Sequence, residues 1–458
     1  MSIMEKISRR TFLKSAGASA AAIGLAACRH EAGLSGSSTA VEGTAEGEMP
    51  YRLNQNTGDK SSLIGYGCMR WPMIRNAEGK SVIDQDAVNE LVDYALEHGV
   101  NYFDSAPVYL QGQSEEATAK ALLRHPRESY YIATKCSNMN AAPGMEYEVG
   151  KNMYLKSREY YQTDKIDYYL LHNFGDIATF KRRFEDCGLM EYFLEERKQG
   201  RIRNLGFSFH GNQEGWDSLR PVLEKYHWDF VQIQMNYIDW FNAGRGNTNA
   251  SYLYETLDSL EIPIVIMEPL LGGRLSNVPQ GVSVQLKERE PERSIASWAF
   301  RFVGSYPRVF CVLSGMTYME HLQDNLSTYL NFKPLTEDEK EWLTGEIATK
   351  INNYPLVACT DCKYCMPCPY GIDIPGIFTF YNNSVNSDSF IVSSTQKDYA
   401  KLRKSFLVNY NRSIPTVRQA DHCINCNECV QHCPQHIRIP NELQRIDKYI
   451  ESLKQETI

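Results

Sequence analysis

Between Ser62 and Asn331 of this 458-residue chain, eight short apolar runs alternate with longer amphipathic stretches. The runs are Leu63–Arg70, Asn101–Ser105, Tyr130–Lys135, Asp167–His172, Asn204–Phe209, Phe230–Met235, Ile264–Glu268 and Val309–Ser314. Runs of this length and continuity suit strands buried on both faces, as in a parallel sheet. Residues Asp84–His98 place Val88, Leu91, Val92 and Ala95 on one helical face, and Gly99 ends the pattern. Ser114–Leu123, Met190–Gln199, Gly215–Tyr226, Ser251–Leu260, Ser294–Phe302 and Met319–Leu330 fit the same helical role. Eightfold alternation predicts an α/β chain with a closed (β/α)8 barrel over 51–335. An open doubly wound sheet is the alternative. It wants a glycine-rich turn that opens a helix after the first strand, and Gly65-Tyr66-Gly67-Cys68 opens none.

Chemistry in such barrels sits where strands end. Strand two runs into Phe103-Asp104-Ser105-Ala106-Pro107-Val108-Tyr109, strand three ends at Lys135 and strand four at His172. An acid, a phenol, an ammonium and an imidazole therefore meet on one face. A phenol of ordinary pKa, about 10, exchanges protons poorly at neutral pH. A neighbouring ammonium lowers that pKa, and a carboxylate fixes the ammonium in place. An imidazole can bond a carbonyl oxygen as charge develops on it. The set suits carbonyl reduction or its reverse. His210, just past strand five, faces the same site.

From Leu63 to about Phe332 the chain resembles the aldo-keto reductases. The shared motifs are Asn101–Tyr109, Gln113-Ser114-Glu115, Ala133-Thr134-Lys135, Leu170-Leu171-His172, Gly206-Phe207-Ser208, Gln232–Tyr237 and Glu268-Pro269-Leu270, in the family's order. The resemblance implies a catalytic tetrad of Asp104, Tyr109, Lys135 and His172, with Tyr109 as acid–base and His172 orienting the carbonyl. It also implies a nicotinamide dinucleotide held by Ser208, Gln234, Pro269, Leu270, Arg274, Ser314, Gly315 and Asn325. Many members carry Lys-Ser after strand eight and an arginine before the final Glu-Asn, which grip the 2′-phosphate of NADP. Here Gly315-Met316 and His321 stand at those places. NAD, a weak hold on the nucleotide, and no nucleotide all stay open.

Eight of thirteen cysteines fall in two groups near the C-terminus. Cys423-x-x-Cys426-x-x-Cys429-x-x-x-Cys433-Pro434 matches the bacterial ferredoxin run. Cys359-x-x-Cys362-x-x-Cys365-x-x-Cys368-Pro369 is one residue short before its last cysteine. In two-cluster ferredoxins the last cysteine of each group ligates the other group's cluster. On that rule Cys359, Cys362, Cys365 and Cys433 hold one [4Fe–4S] cluster. Cys423, Cys426, Cys429 and Cys368 hold the second, with Cys368 the member whose spacing departs. Structural zinc and disulfides fit the triple repeat followed by Cys-Pro less well. More than fifty residues separate the groups, including the polar stretch Asn382–Lys404. Helical segments at Thr336–Ile351 and Asn441–Leu453 predict a small, mostly helical ferredoxin-like domain over 336–458. Ile446, Ile450 and Leu453 form its last helix's apolar stripe.

At the other end, Ser8-Arg9-Arg10-Thr11-Phe12-Leu13-Lys14 precedes an apolar run, Ala16–Ala27, too short for a membrane span. Twin arginines before such a run read as a Tat export signal over 1–27. Leu25-Ala26-Ala27-Cys28 resembles a lipobox, which makes Cys28 a lipid anchor at the outer face of the cytoplasmic membrane or in the periplasm. Residues 28–50 then form a flexible linker. A net charge of −8 argues against nucleic acid as a partner. The reading is an oxidoreductase for a small carbonyl or alcohol that exchanges electrons with an outside partner through its clusters. The alternative is an electron-transfer or partner-binding subunit with a non-catalytic barrel.

Overall fold

The computed structural model describes residues 47–458 except Arg245 and Asp388. The Tat segment, Cys28 and most of the linker lie outside the described residues. Strands β1 (Tyr51–Leu53) and β2 (Lys60–Ser62) form an antiparallel hairpin. β3 (Ile64–Gly67) follows, then a second hairpin of β4 (Met73–Arg75) and β5 (Ser81–Ile83). β6 (Tyr102–Asp104), β7 (Tyr131–Cys136), β8 (Ile166–Phe174), β9 (Ile202–Phe209), β10 (Phe230–Gln234), β11 (Ile264–Met267) and β12 (Val309–Ser314) complete the set. β3 and β6 to β12 close into one barrel with every neighbouring pair parallel. All eight expected strands are present, with ends shifted by at most three residues and Val309–Ser314 unchanged.

The barrel interior is packed, with Tyr102, Tyr168, Leu170, Phe230, Val265 and Phe310 filling it. Tyr168 contacts Tyr102 and Phe230 at ring distances of 4.9 and 5.2 Å. The loop between β1 and β2 seals the N-terminal end. There Asp59 accepts bonds from Tyr168 and Asn204 at 3.0 and 2.9 Å. Only the C-terminal end is left open for chemistry. Helix Gln85–Glu97 shows why the outer ring forms: Asp84 caps its first turn, Val88, Leu91, Val92 and Ala95 are buried, and Gly99 turns the chain at φ 86°.

Several segments differ from the sequence reading, among them an unexpected helix at Gln280–Arg289. A helix at Glu146–Tyr160, not expected, lies between β7 and β8. The stretch read as one helix over Gly215–Tyr226 is two, Gln213–Ser218 and Arg220–Lys225, because Pro221 starts a new helix. The segment Glu337–Asn352 buries Leu343, Ile347 and Ile351 in the barrel's core. By packing it belongs with the barrel, beyond the expected boundary at 335.

The second core begins at Val357 and gathers Ile374, Phe378, Tyr381, Phe406, Tyr410 and Ile446. Helices Ile374–Asn386, Tyr399–Ser413 and Ile439–Gln455 enclose it. The polar stretch Asn382–Lys404 thus carries parts of two helices. Ile446, Ile450 and Leu453 face this core and not the barrel. The two cysteine groups are copies of one element. Each middle cysteine is flanked by left-handed residues, Asp361 and Lys363 (φ 53° and 65°) or Asn425 and Asn427 (67° and 65°). Each Cys-Pro is followed by Ile-x-Ile-Pro and a helix starting at that second isoleucine, Ile374 or Ile439. Asp and Asn tolerate the left-handed region better than most residues.

Candidate active site beneath the cysteine loops

Asp104 ends β6. Tyr109 follows in a tight turn whose Leu110 and Gln111 are left-handed, at φ 49° and 58°. Lys135 and His172 stand near the ends of β7 and β8. Lys135 Nζ donates to Asp104 Oδ1 at 2.5 Å and to the Ser105 carbonyl at 2.7 Å. Their side chains are 0% and 3% exposed, so each charge depends on the other. The ammonium lies 4.9 Å from the centre of the Tyr109 ring, over its face. Burial, with Asp104 adding to it, pushes the Tyr109 phenol well above its usual value. This differs from the expected lowering by Lys135, whose charge is engaged by Asp104 and Ser105. Tyr109 thereby keeps its hydroxyl proton, as an ordinary phenol does at neutral pH.

The Tyr109 and His172 rings meet edge to face at 5.8 Å. Burial and the nearby positive charges of Lys135 and Arg183 push His172 well below the ordinary imidazole range. Its Nδ1 is bonded to Ser137 Oγ at 2.6 Å. With that hydroxyl donating, Nε2 carries the hydrogen and can donate to a carbonyl oxygen. Behind the ring, buried Arg183 donates to the His172 carbonyl at 2.8 Å and to Asn138.

A cavity of about 450 Å³ opens over this group. Asp104, Tyr109, His172, Ser208, His210, Pro269, Leu270, Ser314, Gly315 and Asn325 all line it. Gln234 and Arg274 do not. Gln234 bonds Asp239 at 2.6 Å and Gln435 of the C-terminal domain at 2.9 Å. Gln232, two residues earlier, lines the cavity and reaches Asp104 at 3.5 Å. Sequence reasoning missed Gln232 and Glu268 as lining residues, although both stand inside motifs it used. It also missed Tyr364, for which the sequence carries no signal.

The C-terminal domain roofs the cavity with Cys362, Tyr364 and Pro434. Arg70, just past β3, donates to the Thr360 carbonyl and pairs with Asp361 at 3.5 Å. Asn247 bonds Gln435 at 3.4 Å. Gly272 lies so close to Thr360 that a Cβ there would be 2.2 Å from the Thr360 oxygen.

Cys359, Cys362, Cys365 and Cys433 line one pocket with Ile374, Phe378, Ile437 and Ile439. Cys433, more than sixty residues downstream, acts electrostatically on the other three. Cys429 has Cys426, Cys423 and Cys368 as neighbours. Both sets therefore combine one group's first three cysteines with the other group's last. Among the described residues no three His, Cys, Asp or Glu side chains are drawn together around a single ion. Four thiols lining an apolar pocket are a donor set that would hold an iron–sulfur cluster. Cys362 lines both this pocket and the cavity over Tyr109 and His172.

The comparisons agree with this architecture. The aldo/keto reductase family model matches residues 63–344, a 4Fe-4S dicluster domain matches 358–437, and the TAT pathway signal matches 6–26. The chain is 24% identical to the uncharacterized oxidoreductase YqkF of Bacillus subtilis, covering 61% of this chain and 90% of that protein. It is also 24% identical to L-galactose dehydrogenase of Arabidopsis thaliana, covering 64% and 92%. Aldo-keto reductase AKR11C1 from Bacillus halodurans shares the fold with a TM-score of 0.50 at 21% identity, over 66% of this chain and 96% of that one. An aldo/keto reductase from Klebsiella pneumoniae, solved with NADP and acetate, aligns over 66% and 96% with a TM-score of 0.50 at 20% identity. Carrying a Tat signal and a 4Fe-4S domain besides its barrel, the chain belongs to the aldo/keto reductase family.

Proposed function

We propose that this protein is an exported, lipid-anchored oxidoreductase that interconverts a small carbonyl compound and its alcohol. It holds a nicotinamide nucleotide in the barrel and two [4Fe–4S] clusters in the C-terminal domain. The observation that carries the reading is Cys362, a wall of both the catalytic cavity and the first cysteine pocket. A shared wall sets the first cysteine group directly beside the site of carbonyl chemistry, as coupling the two requires.

When bound, the nucleotide supplies or takes a hydride, and the clusters store single electrons. The chain's own residues handle the oxygen. His172 Nε2 donates to the carbonyl oxygen and sets its direction. Tyr109 gives its hydroxyl proton to that oxygen as the carbon gains a hydride. Asp104 and Ser105 hold the Lys135 ammonium over the face of the phenol ring, which fixes the ring beside His172. Ser208, Pro269, Leu270, Gly272, Gly273, Ser314, Gly315 and Asn325, which line the cavity, would hold the nucleotide.

The cavity lining supports NAD over NADP. Among the described lining residues Arg70 is the one arginine and there is no lysine. Arg70 is engaged by Thr360 and Asp361. Glu320 and Asp324 line the same side as Asn325. Their carboxylates oppose a 2′-phosphate and can accept a bond from a ribose hydroxyl. Cys28, after Leu25-Ala26-Ala27, supplies the anchor.

The test is anaerobic purification of the exported protein, with released nucleotide, iron and sulfide measured alongside turnover of an aldehyde and alcohol panel. We expect about one nucleotide and about eight irons per chain, and a loss of turnover in Tyr109→Phe of about 10²-fold or more. Eight irons with no nucleotide, and equal cluster reduction in both variants without turnover, would favour the electron-transfer subunit instead.

A further inference from the structure

Arg274 has no role in the site just described. The family resemblance assigned it to the nucleotide, yet it does not line the catalytic cavity. Its loop is instead pressed against the first cysteine loop. Leu271 and Gly272 are left-handed, at φ 47° and 67°, and the turn is closed by Leu275 N donating to Leu270 O at 3.0 Å. A Cβ on Gly272 would meet the Thr360 carbonyl oxygen at 2.2 Å and the Thr360 Cα at 2.5 Å. Backbone therefore lies on backbone, two residues before Arg274 and one residue after Cys359.

The Arg274 Nε is buried and has no hydrogen-bond acceptor. The ionisable groups that act on the guanidinium are Asp239, Cys359, Glu268 and Tyr237. Asp239 is already bonded to Gln234 and Asn236, at 2.6 and 2.7 Å. A buried cation with an unused donor beside a cluster-binding sulfur is costly unless negative charge faces it. A four-thiolate cluster supplies that charge, and hydrogen bonds and positive charge near its sulfurs favour its reduced, more negative state.

We propose that Arg274 tunes the cluster held by Cys359, Cys362, Cys365 and Cys433, raising its reduction potential from the barrel side. This rests on the two-cluster reading above. The test is an EPR-monitored redox titration at pH 8 of the full-length protein, after iron and sulfide have been counted. In Arg274→Gln one of the two midpoint potentials falls by about 59 mV or more, a tenfold change in its reduction equilibrium. The other potential stays, and NAD+ affinity changes by less than about twofold. Unchanged potentials overturn the proposal. So does a tenfold loss of NAD+ affinity with both potentials intact, which would return Arg274 to the nucleotide. If Arg274→Gln cannot be loaded with clusters, Asp239→Asn reads the same charge from its other side. It raises the same potential, and no change there overturns the proposal. Wild-type protein without eight irons would strike at the two-cluster reading and not at Arg274.

Discussion

Gly272→Ala tests whether the cysteine loop is seated on the barrel. Gly272 sits at φ 67°, and an L side chain in the left-handed region costs about 1–2 kcal/mol. Its new methyl would also lie 2.2, 2.5 and 2.6 Å from the O, Cα and C atoms of Thr360. These are backbone atoms with no rotamer to relieve the overlap, and overpacking of this kind costs about 1–3 kcal/mol. Gly79 separates the two costs. Its φ is 74°, and nothing lies within 4 Å of where its Cβ would go. Gly79→Ala therefore carries the conformational cost alone. Amide hydrogen exchange across 356–366 should be faster in Gly272→Ala than in Gly79→Ala. The factor is roughly five- to hundredfold, since each 1.4 kcal/mol is tenfold. Equal exchange in the two variants would mean that Thr360 does not rest on Gly272 in solution, and the reasoning would fail.

Lys135→Met leaves the Asp104 carboxylate buried with only Gln232 at 3.5 Å and should cost about 3–5 kcal/mol of unfolding free energy. Burial already raises the Asp104 pKa against the pull of Lys135, and losing Lys135 raises it further. A carboxyl raised in the folded state keeps its stability below its ordinary pKa and loses it as pH rises through the folded value. Urea unfolding should thus show a larger deficit at pH 8 than at pH 5, and a pH-independent deficit would contradict the assignment. Cys433→Ala should remove the cluster otherwise held by Cys359, Cys362 and Cys365, halving the iron and leaving one EPR signal; Cys368→Ala should remove the other. A single variant that strips both signals, or neither, would show the crossed ligation to be wrong. Glu320→Lys should shift the ratio of NADP to NAD affinity upward by about tenfold or more, read by titration with both nucleotides.

The barrel was legible because strands buried on both faces leave continuous apolar runs, as in Phe230–Gln234. Helix Glu146–Tyr160 was not, because the side it buries is Glu146, Gly150, Tyr154 and Ser157. Those residues have helical spacing but not the apolar character that pattern reading looks for. At Gly150 the reason is steric, since a Cβ would lie 2.5 Å from Leu189 and 2.9 Å from Cys136. That Asp104, Tyr109, Lys135 and His172 meet at one end of the barrel was readable from their strand ends, while the surroundings of the Tyr109 hydroxyl were not. Those depend on where the Lys135 charge is spent, a matter of 2.5 Å to Asp104 and not of sequence. Gln234 and Arg274 were assigned by likeness to relatives, and the C-terminal domain has drawn both toward itself. Tyr364 had no readable role, because only docking brings it over the barrel mouth.

The duplicated cysteine loops give this last domain an unusual property. As folded elements they are near twins, down to the left-handed residues beside Cys362 and Cys426. Docking makes the twins unequal. One is covered by the barrel and shares Cys362 with its cavity; the other leaves Cys426 and Ile424 exposed. Two near-copies of one loop acquire an inside and an outside through a single asymmetric contact. From that point the copies answer to different constraints. Changes in the inner loop are limited by the shape of the barrel mouth. The outer loop is free to drift with whatever surface it must meet, so divergence between relatives should concentrate around Cys426 and spare Thr360.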